Sequence, residues 1–346
     1  MPRRLVTSDG TEFRIVDFGP YPVEPDHVRV RVRFASPKHG TESHALSGSW
    51  QGKKWDKELR LFLPRDASDP APVPPTERGI GNMVVGTVLE VGSAVHAFQP
   101  GDAVFGYGQV REISQSTQEN WRHLPPGMTD ASAVCTDPGH VAFVAVRDGN
   151  VRVGDNVAVF GLGAIGLLAV QIARAGGARR VFASDLSPFR RAAALACGAN
   201  AAFDPASEDV GLAIKRATGN KGVDVAIETS GSDRALHEAI RCIRQCGTVV
   251  HVPWGPKSAP NLRLDEEFHL NRPTIIGSQA VWQNSDRSHP LWDKERAMQT
   301  VVAMFAEGTL TGEPIVTPIV PFDDAPRLLS GIFSRPDAGI KVGVRF

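Results

Sequence analysis

The stretch Val157–Gly166, VAVFGLGAIG, decides the fold. An apolar, β-prone run breaks into Gly161-Leu162-Gly163-Ala164-Ile165-Gly166. A helix-like segment follows, LLAVQIARAG, and then a second apolar strand, Arg180-Val181-Phe182-Ala183-Ser184, which ends in Asp185. Strand, glycine turn, helix, strand and acid, in that order, make a dinucleotide site. Gly161 permits a tight turn, Gly163 lets the backbone approach a pyrophosphate, and Gly166 lets the helix pack close to the strand. The unpaired N–H groups at the helix start, around Ala164 and Ile165, offer the pyrophosphate an anion site. Asp185 lies 19 residues past Gly166, where a carboxylate takes the two hydroxyls of an adenine ribose. The same carboxylate repels a 2′-phosphate, so the expected cofactor is NAD. Arg190 and Arg191 are read as helix-surface residues, with Arg190 near the adenine.

Working outward, composition agrees with an enzyme. At 346 residues the chain exceeds one ordinary core, and two domains are expected. Lys+Arg and Asp+Glu both number 38, a balance that argues against a nucleic-acid or anionic-membrane partner. The four cysteines (Cys135, Cys197, Cys242 and Cys246) form no CxxC pair and no disulfide framework. Cys242 and Cys246 are expected on one helix. No signal-peptide pattern opens the chain, and its longest apolar run, Val157–Ala173, carries glycines and Gln171. The expected location is therefore cytoplasmic, with a small-molecule substrate.

Three blocks follow along the chain. Residues 1–145 read as β-rich: Val28–Val32 alternates apolar and basic residues, and Val84–Val91 is a second strand. Ser47–Gly79 reads as an irregular excursion and a candidate wall of a substrate site. Residues 146–285 repeat strand–helix units, with strands at Val181–Ala183, Val223–Glu228, Thr248–Val252 and Thr274–Ile276. That repetition implies an α/β, doubly wound parallel sheet. Residues 286–346 open with a helix, Trp292–Glu307, and end in a β-like tail, Ile340–Phe346.

With these features in place the chain resembles the medium-chain dehydrogenases/reductases, the family of the zinc alcohol and polyol dehydrogenases, over nearly its whole length. Pro37-Lys38-His39-Gly40-Thr41-Glu42-Ser43-His44 stands where that family carries Cys-Gly-Thr-Asp and a following His. Gly81-Asn82-Met83 stands for its Gly-His-Glu, and Glu90-Val91-Gly92 with Gly101-Asp102-Ala103-Val104 matches another signature. Asp137-Pro138 falls at its Glu-Pro position. The resemblance implies a Rossmann cofactor domain over 146–285, inserted into a GroES-like, β-rich catalytic domain made of 1–145 and 286–346.

The departures concern metal. The resemblance places the zinc ligands at His39, Asn82 and Asp137, and a neutral Asn amide is a poor ligand. Met83 removes the neighbouring carboxylate, and Gly106–Arg122 lacks the cysteines of the structural-zinc lobe. No catalytic metal is expected, although His39 and Asp137 retain donors that suit zinc. Asp137-Pro138 also reads as the N-cap and first residue of a helix. Without zinc a side chain must take the alcohol proton. His39 is the first candidate, Lys38 the second, and the resemblance makes Thr41 and His44 a relay to solvent. Glu42 is read as structural, and His123, His251, His269 and His289 are assigned no role.

Three functions remain at this level. They are a zinc-independent, NAD-dependent dehydrogenase of a secondary alcohol or polyol/sugar-like substrate, a zinc-less NAD(P)H-dependent reductase of a polarised C=C or C=O bond, and a non-catalytic NAD-binding protein. The apolar edge strand Thr274–Ile276 adds the expectation of a homodimer or homotetramer.

Overall fold

Val157, Ala158 and Val159 are completely shielded from solvent, as a strand covered on both faces must be. Alternation sorts them: Val157 and Val159 face one apolar cluster with Leu167, Val170 and Ile227, while Ala158 and Phe160 face another with Ile214 and Ile240. Their strand, Asn156–Phe160, lies inside a six-stranded parallel sheet. The edge-to-edge order is Ala201–Phe203, Arg180–Ser184, Asn156–Phe160, Val223–Glu228, Ile243–His251 and Thr274–Gly277. In chain order this is 3-2-1-4-5-6, and the crevice opens where the order reverses, at the carboxyl ends of the strands. In register, Phe160 lies beside both Ser184 and Glu228, and Glu228 lies beside His251.

The computed structural model describes residues 1–19, 21–38, 53–65, 77–255, 258–280 and 292–346. A second, seven-stranded sheet is built around His27–Pro37, whose alternating burial matches its apolar and basic residues. That strand pairs antiparallel with Gly81–Val91 on one side and with the C-terminal strand Lys341–Arg345 on the other. Val344 lies opposite Ala35, and Asn82 lies opposite Pro37. The parallel sheet is thus threaded between chain segments that share one β-sheet. Val30, Val84, Val104, Leu329 and Val344 form the apolar core there.

Two local expectations are corrected. Cys246 does not continue the helix: Asp233–Cys242 ends at Cys242, and Cys246 sits in the next strand with φ +56°. The excursion Ser47–Gly79 contains a hairpin, Lys53–Asp56 with Leu61–Pro64, across which Trp55 and Phe62 pack at a tilt of 56° with ring centroids 5.0 Å apart.

Candidate cofactor and catalytic site

The glycine turn has the geometry its spacing requires. Gly161 has φ +84°, and a Cβ there would come within 2.6 Å of Ser230 N. A Cβ on Gly166 would meet Gly161 O at 1.9 Å, so the helix can approach only without a side chain. A Cβ on Gly163 would meet nothing within 4 Å. Its backbone borders open space, as a backbone that receives a phosphate must.

Helix Ala164–Ala175 starts at Gly163 with no side-chain cap. The amides of Ala164, Ile165 and Gly166 precede the first intrahelical donor, Leu167 N, which bonds Gly163 O at 3.0 Å. Asp185 lies across the turn: Oδ2 accepts from Leu162 N at 2.7 Å and Oδ1 from Ser187 N at 2.9 Å. These residues fit a dinucleotide, with its pyrophosphate on the helix start and its adenine ribose at Asp185.

The two arginines are committed elsewhere. Arg191 donates to the carbonyls of Asp185 and Leu186, both at 2.8 Å, and pairs with Asp204 at 3.1 Å. Arg190 Nη2 donates to Gly339 O at 3.1 Å, linking the helix after Asp185 to the approach of the C-terminal strand.

The second part of the site centres on Asp137. The helix begins earlier than the Asp-Pro pair implies: it spans Thr136–Asp148 with Cys135 as its N-cap. Asp137 therefore stands inside the first turn, where Pro138 is tolerated because first-turn amides have no intrahelical partner. Its carboxylate is not a cap. Oδ2 accepts from Lys38 Nζ and from Asn82 Nδ2, each at 3.1 Å, and Oδ1 accepts from Tyr107 Oη at 3.0 Å.

Behind Asn82 stands Lys341, which is buried. Its Nζ donates to Asn82 Oδ1 at 3.4 Å and to Pro37 O at 3.3 Å. Burial by itself raises the Asp137 carboxyl, but the charges of Lys38 and Lys341 and the Lys38 and Asn82 hydrogen bonds outweigh it and hold it below its usual range. Burial and then the Asp137 charge push the Tyr107 phenol well above its usual range, so it stays a donor. One helical turn on, His140 is buried and held below its usual range by desolvation first.

Lys38 is thus the one expected base whose placement is described. His39, Thr41 and His44 lie outside the described residues, as does Glu42. Tyr107 and Lys341 were missed, because neither matches a motif by which chemistry is recognised. His251, given no role from sequence, lies with Nδ1 3.0 Å from Oε2 of fully buried Glu228. Oε1 of Glu228 accepts from Ser230 and Gly231 beside the glycine turn.

Comparison with known proteins agrees with this geometry. A family model described as "Zinc-binding dehydrogenase" matches residues 164–293. The D-guloside 3-dehydrogenase of Escherichia coli is 35% identical over 99% of this chain and 100% of its own. The (R,R)-butanediol dehydrogenase of Bacillus subtilis is 26% identical over 93% of each chain. In fold, the chain superposes with TM-score 0.80 on an Escherichia coli oxidoreductase/dehydrogenase of unknown specificity, at 18% identity over 100% of this chain and 99% of that one. Identity at the level of the first relative, over the full length of both chains, shows that the protein belongs to the zinc-type medium-chain dehydrogenase superfamily, among alcohol-dehydrogenase-type oxidoreductases.

Proposed function

We propose that the protein is an NAD-dependent dehydrogenase that oxidises a secondary hydroxyl of a polyol or sugar-like substrate without a catalytic metal. The observation that carries this reading is the Lys38–Asp137 ion pair, 3.1 Å long and held on a carboxylate that is only 3% exposed. The donor set disfavours zinc. At the two described ligand positions, Asn82 turns its amide N–H toward Asp137, and Asp137 already receives Lys38, Asn82 and Tyr107. Divalent zinc wants three basic protein donors, and here the Asn82 amide and the Asp137 carboxylate are engaged with each other, and Asp137 with Lys38 and Tyr107 as well.

NAD, when bound, supplies the hydride acceptor. Everything else is the work of side chains. Lys38, the candidate base whose placement is described, takes the hydroxyl proton as the carbinol C–H bond breaks and a C=O bond forms in the substrate. Asp137 orients Lys38 and stabilises the ammonium that results. Tyr107 and Asn82 keep Asp137 in place, and Thr41 and His44 are the proposed relay that returns the proton to solvent. NAD is favoured over NADP because Asp185 faces the glycine turn while Arg191 is spent on backbone carbonyls and Asp204. The 35% identical relative, a D-guloside 3-dehydrogenase, favours a sugar derivative as substrate.

The edge strand Thr274–Gly277, with Ile275 exposed, supports pairing of two chains through this sheet. Among the described residues no helix is long and apolar enough to cross a membrane.

A screen of oxidised NAD against alcohols, polyols and glycosides, followed at the nicotinamide absorbance, tests the reading directly. Metal analysis of the active protein accompanies it. Turnover of a hydroxylated substrate with no stoichiometric zinc, unaffected by chelators, is expected. Activity confined to C=C reduction, or a zinc per chain whose removal abolishes turnover, overturns it.

A further inference from the structure

We infer that Arg4 and Arg111 together form a binding site for a small phosphate-type dianion, at the seam where the N-terminal strand meets the seven-stranded sheet. Neither residue takes part in the glycine turn or the Asp137 cluster, so the inference stands whatever the reaction.

Backbone register sets the pair. The strand Arg3–Thr7 belongs to a three-stranded sheet with Phe13–Asp17 and Arg78–Gly79. An antiparallel bridge, Arg4 opposite Arg111, joins it to the connection between the strands Ala103–Gln109 and Ile113–Thr117. Leu5 N donates to Val110 O at 2.9 Å, and Glu112 N donates to Arg3 O at 3.0 Å. These bonds flank the bridge and make Arg4 and Arg111 a non-hydrogen-bonded pair, the type whose side chains stand closest. Like charges directly opposite one another destabilise such a pair. Two bare cations here work against the seam they form.

The protein does not supply the counter-charge. Among the described residues neither guanidinium has an ion-pair partner. Glu112, the acid next to Arg111 in sequence, is committed to Arg3: it accepts from Arg3 N at 2.7 Å, Nε at 2.9 Å and Nη2 at 2.7 Å. Arg111 makes a long hydrogen bond, Nη2 to Ser114 Oγ at 3.4 Å, and lies 5.9 Å from the centre of the Phe18 ring. Both side chains are half-buried, and the Nε of each is shielded from solvent with no acceptor. Burial is the largest influence on Arg111 and holds its guanidinium below the usual range; Tyr21 opposes this and the Arg4 charge adds to it. Arginine keeps its charge in proteins, so two positive charges stand side by side with their Nη edges left to be satisfied.

The ligand follows from the charges and the shape of the donors. Guanidinium forks match the oxygens of phosphate, and two forks can share one tetrahedral anion. A phosphate dianion balances both cations, whereas a carboxylate balances one. A free phosphate ion and the phosphoryl group of an ester share this chemistry.

Calorimetric titration of the full chain with inorganic phosphate, in a buffer without other multivalent anions, tests the site. Wild type should bind, and Arg4→Gln and Arg111→Gln should each bind roughly tenfold more weakly or worse, the worth of a charge-assisted hydrogen bond. Phosphate held at the glycine turn instead would be indifferent to both substitutions. Methyl phosphate separates the sources: retained binding assigns a phosphoryl ester, and lost binding assigns the free ion. Urea midpoints give a second readout. Phosphate should raise the wild-type midpoint and leave that of Arg4→Gln nearly unchanged. Without phosphate, Arg4→Gln should be at least as stable as wild type, because the like-charge pair is gone.

No phosphate binding by wild type up to about 10 millimolar, or binding of equal strength in both variants, overturns the inference. Acetate binding as tightly as phosphate overturns the assignment to a dianion. An Arg4→Gln midpoint well below wild type in the absence of phosphate also overturns it, since the pair would then be supported by the protein itself.

Discussion

Asp137→Asn isolates charge from shape at the centre of the site. The two side chains are isosteric, and the amide can preserve every contact. Its oxygen, placed at Oδ2, still accepts from Lys38 and Asn82, and its nitrogen, placed at Oδ1, donates to Tyr107 once that hydroxyl rotates to accept. What disappears is the negative charge. At 3.1 Å the Lys38 attraction is about 5 kcal/mol for an effective dielectric constant near 20. Most of this is offset because a neutral amide is far easier to bury than a carboxylate. The Lys38 side chain is also 31% exposed and partly screened by water. A net loss of about 2 kcal/mol at pH 7 is expected.

The pH dependence supplies the check. The folded Asp137 carboxyl is held below its usual range, so its contribution is present above the unfolded pKa, near 4, and fades as pH falls through the folded value. The stability gap between wild type and variant, read from urea midpoints in parallel, should be widest near neutrality and shrink below about pH 4. A gap that stays constant between pH 7 and the acid range would refute Asp137 as the charged hub.

Three further outcomes follow from the cofactor side of the molecule. Asp185→Ala should weaken NAD binding by roughly 10- to 100-fold, the worth of a charge-assisted hydrogen bond, in a fluorescence titration; wild-type protein that binds NADP more tightly than NAD would contradict the assignment. Gly166→Ala should destabilise the cofactor domain by about 1–3 kcal/mol in thermal melts, since its Cβ would press on Gly161 O at 1.9 Å, and unchanged melting would show that the helix can retreat. Light scattering at micromolar concentration should give a dimer or tetramer mass, and Ile275→Lys on the edge strand should reduce it; a monomeric wild type removes the basis for sheet pairing.

The sequence by itself determined the glycine turn of the parallel sheet and the acid that faces it. Gly161, Gly163, Gly166 and Asp185 are legible because each answers a backbone requirement within one βαβ unit: a positive φ, an open approach, a close helix contact, an acid at the end of the next strand. The alternation at Val28–Val32 was equally legible, since a strand with one buried face must repeat every two residues. The loss of zinc donors at Asn82 and Met83 was visible too, because a motif shows its own gaps. Only the tertiary structure decided what fills them. Lys38 meets Asp137 across 99 residues, Asn82 across 55, and Tyr107 across 30, while Lys341 reaches Asn82 across 259. Asp-Pro at a helix start reads as a cap when only its neighbours are considered. It became a hub because the helix starts one residue before it, and two strands and the residue that follows a third place their donors around it. No local pattern encodes that convergence; strand register and the return of the C-terminal segment to the first sheet create it.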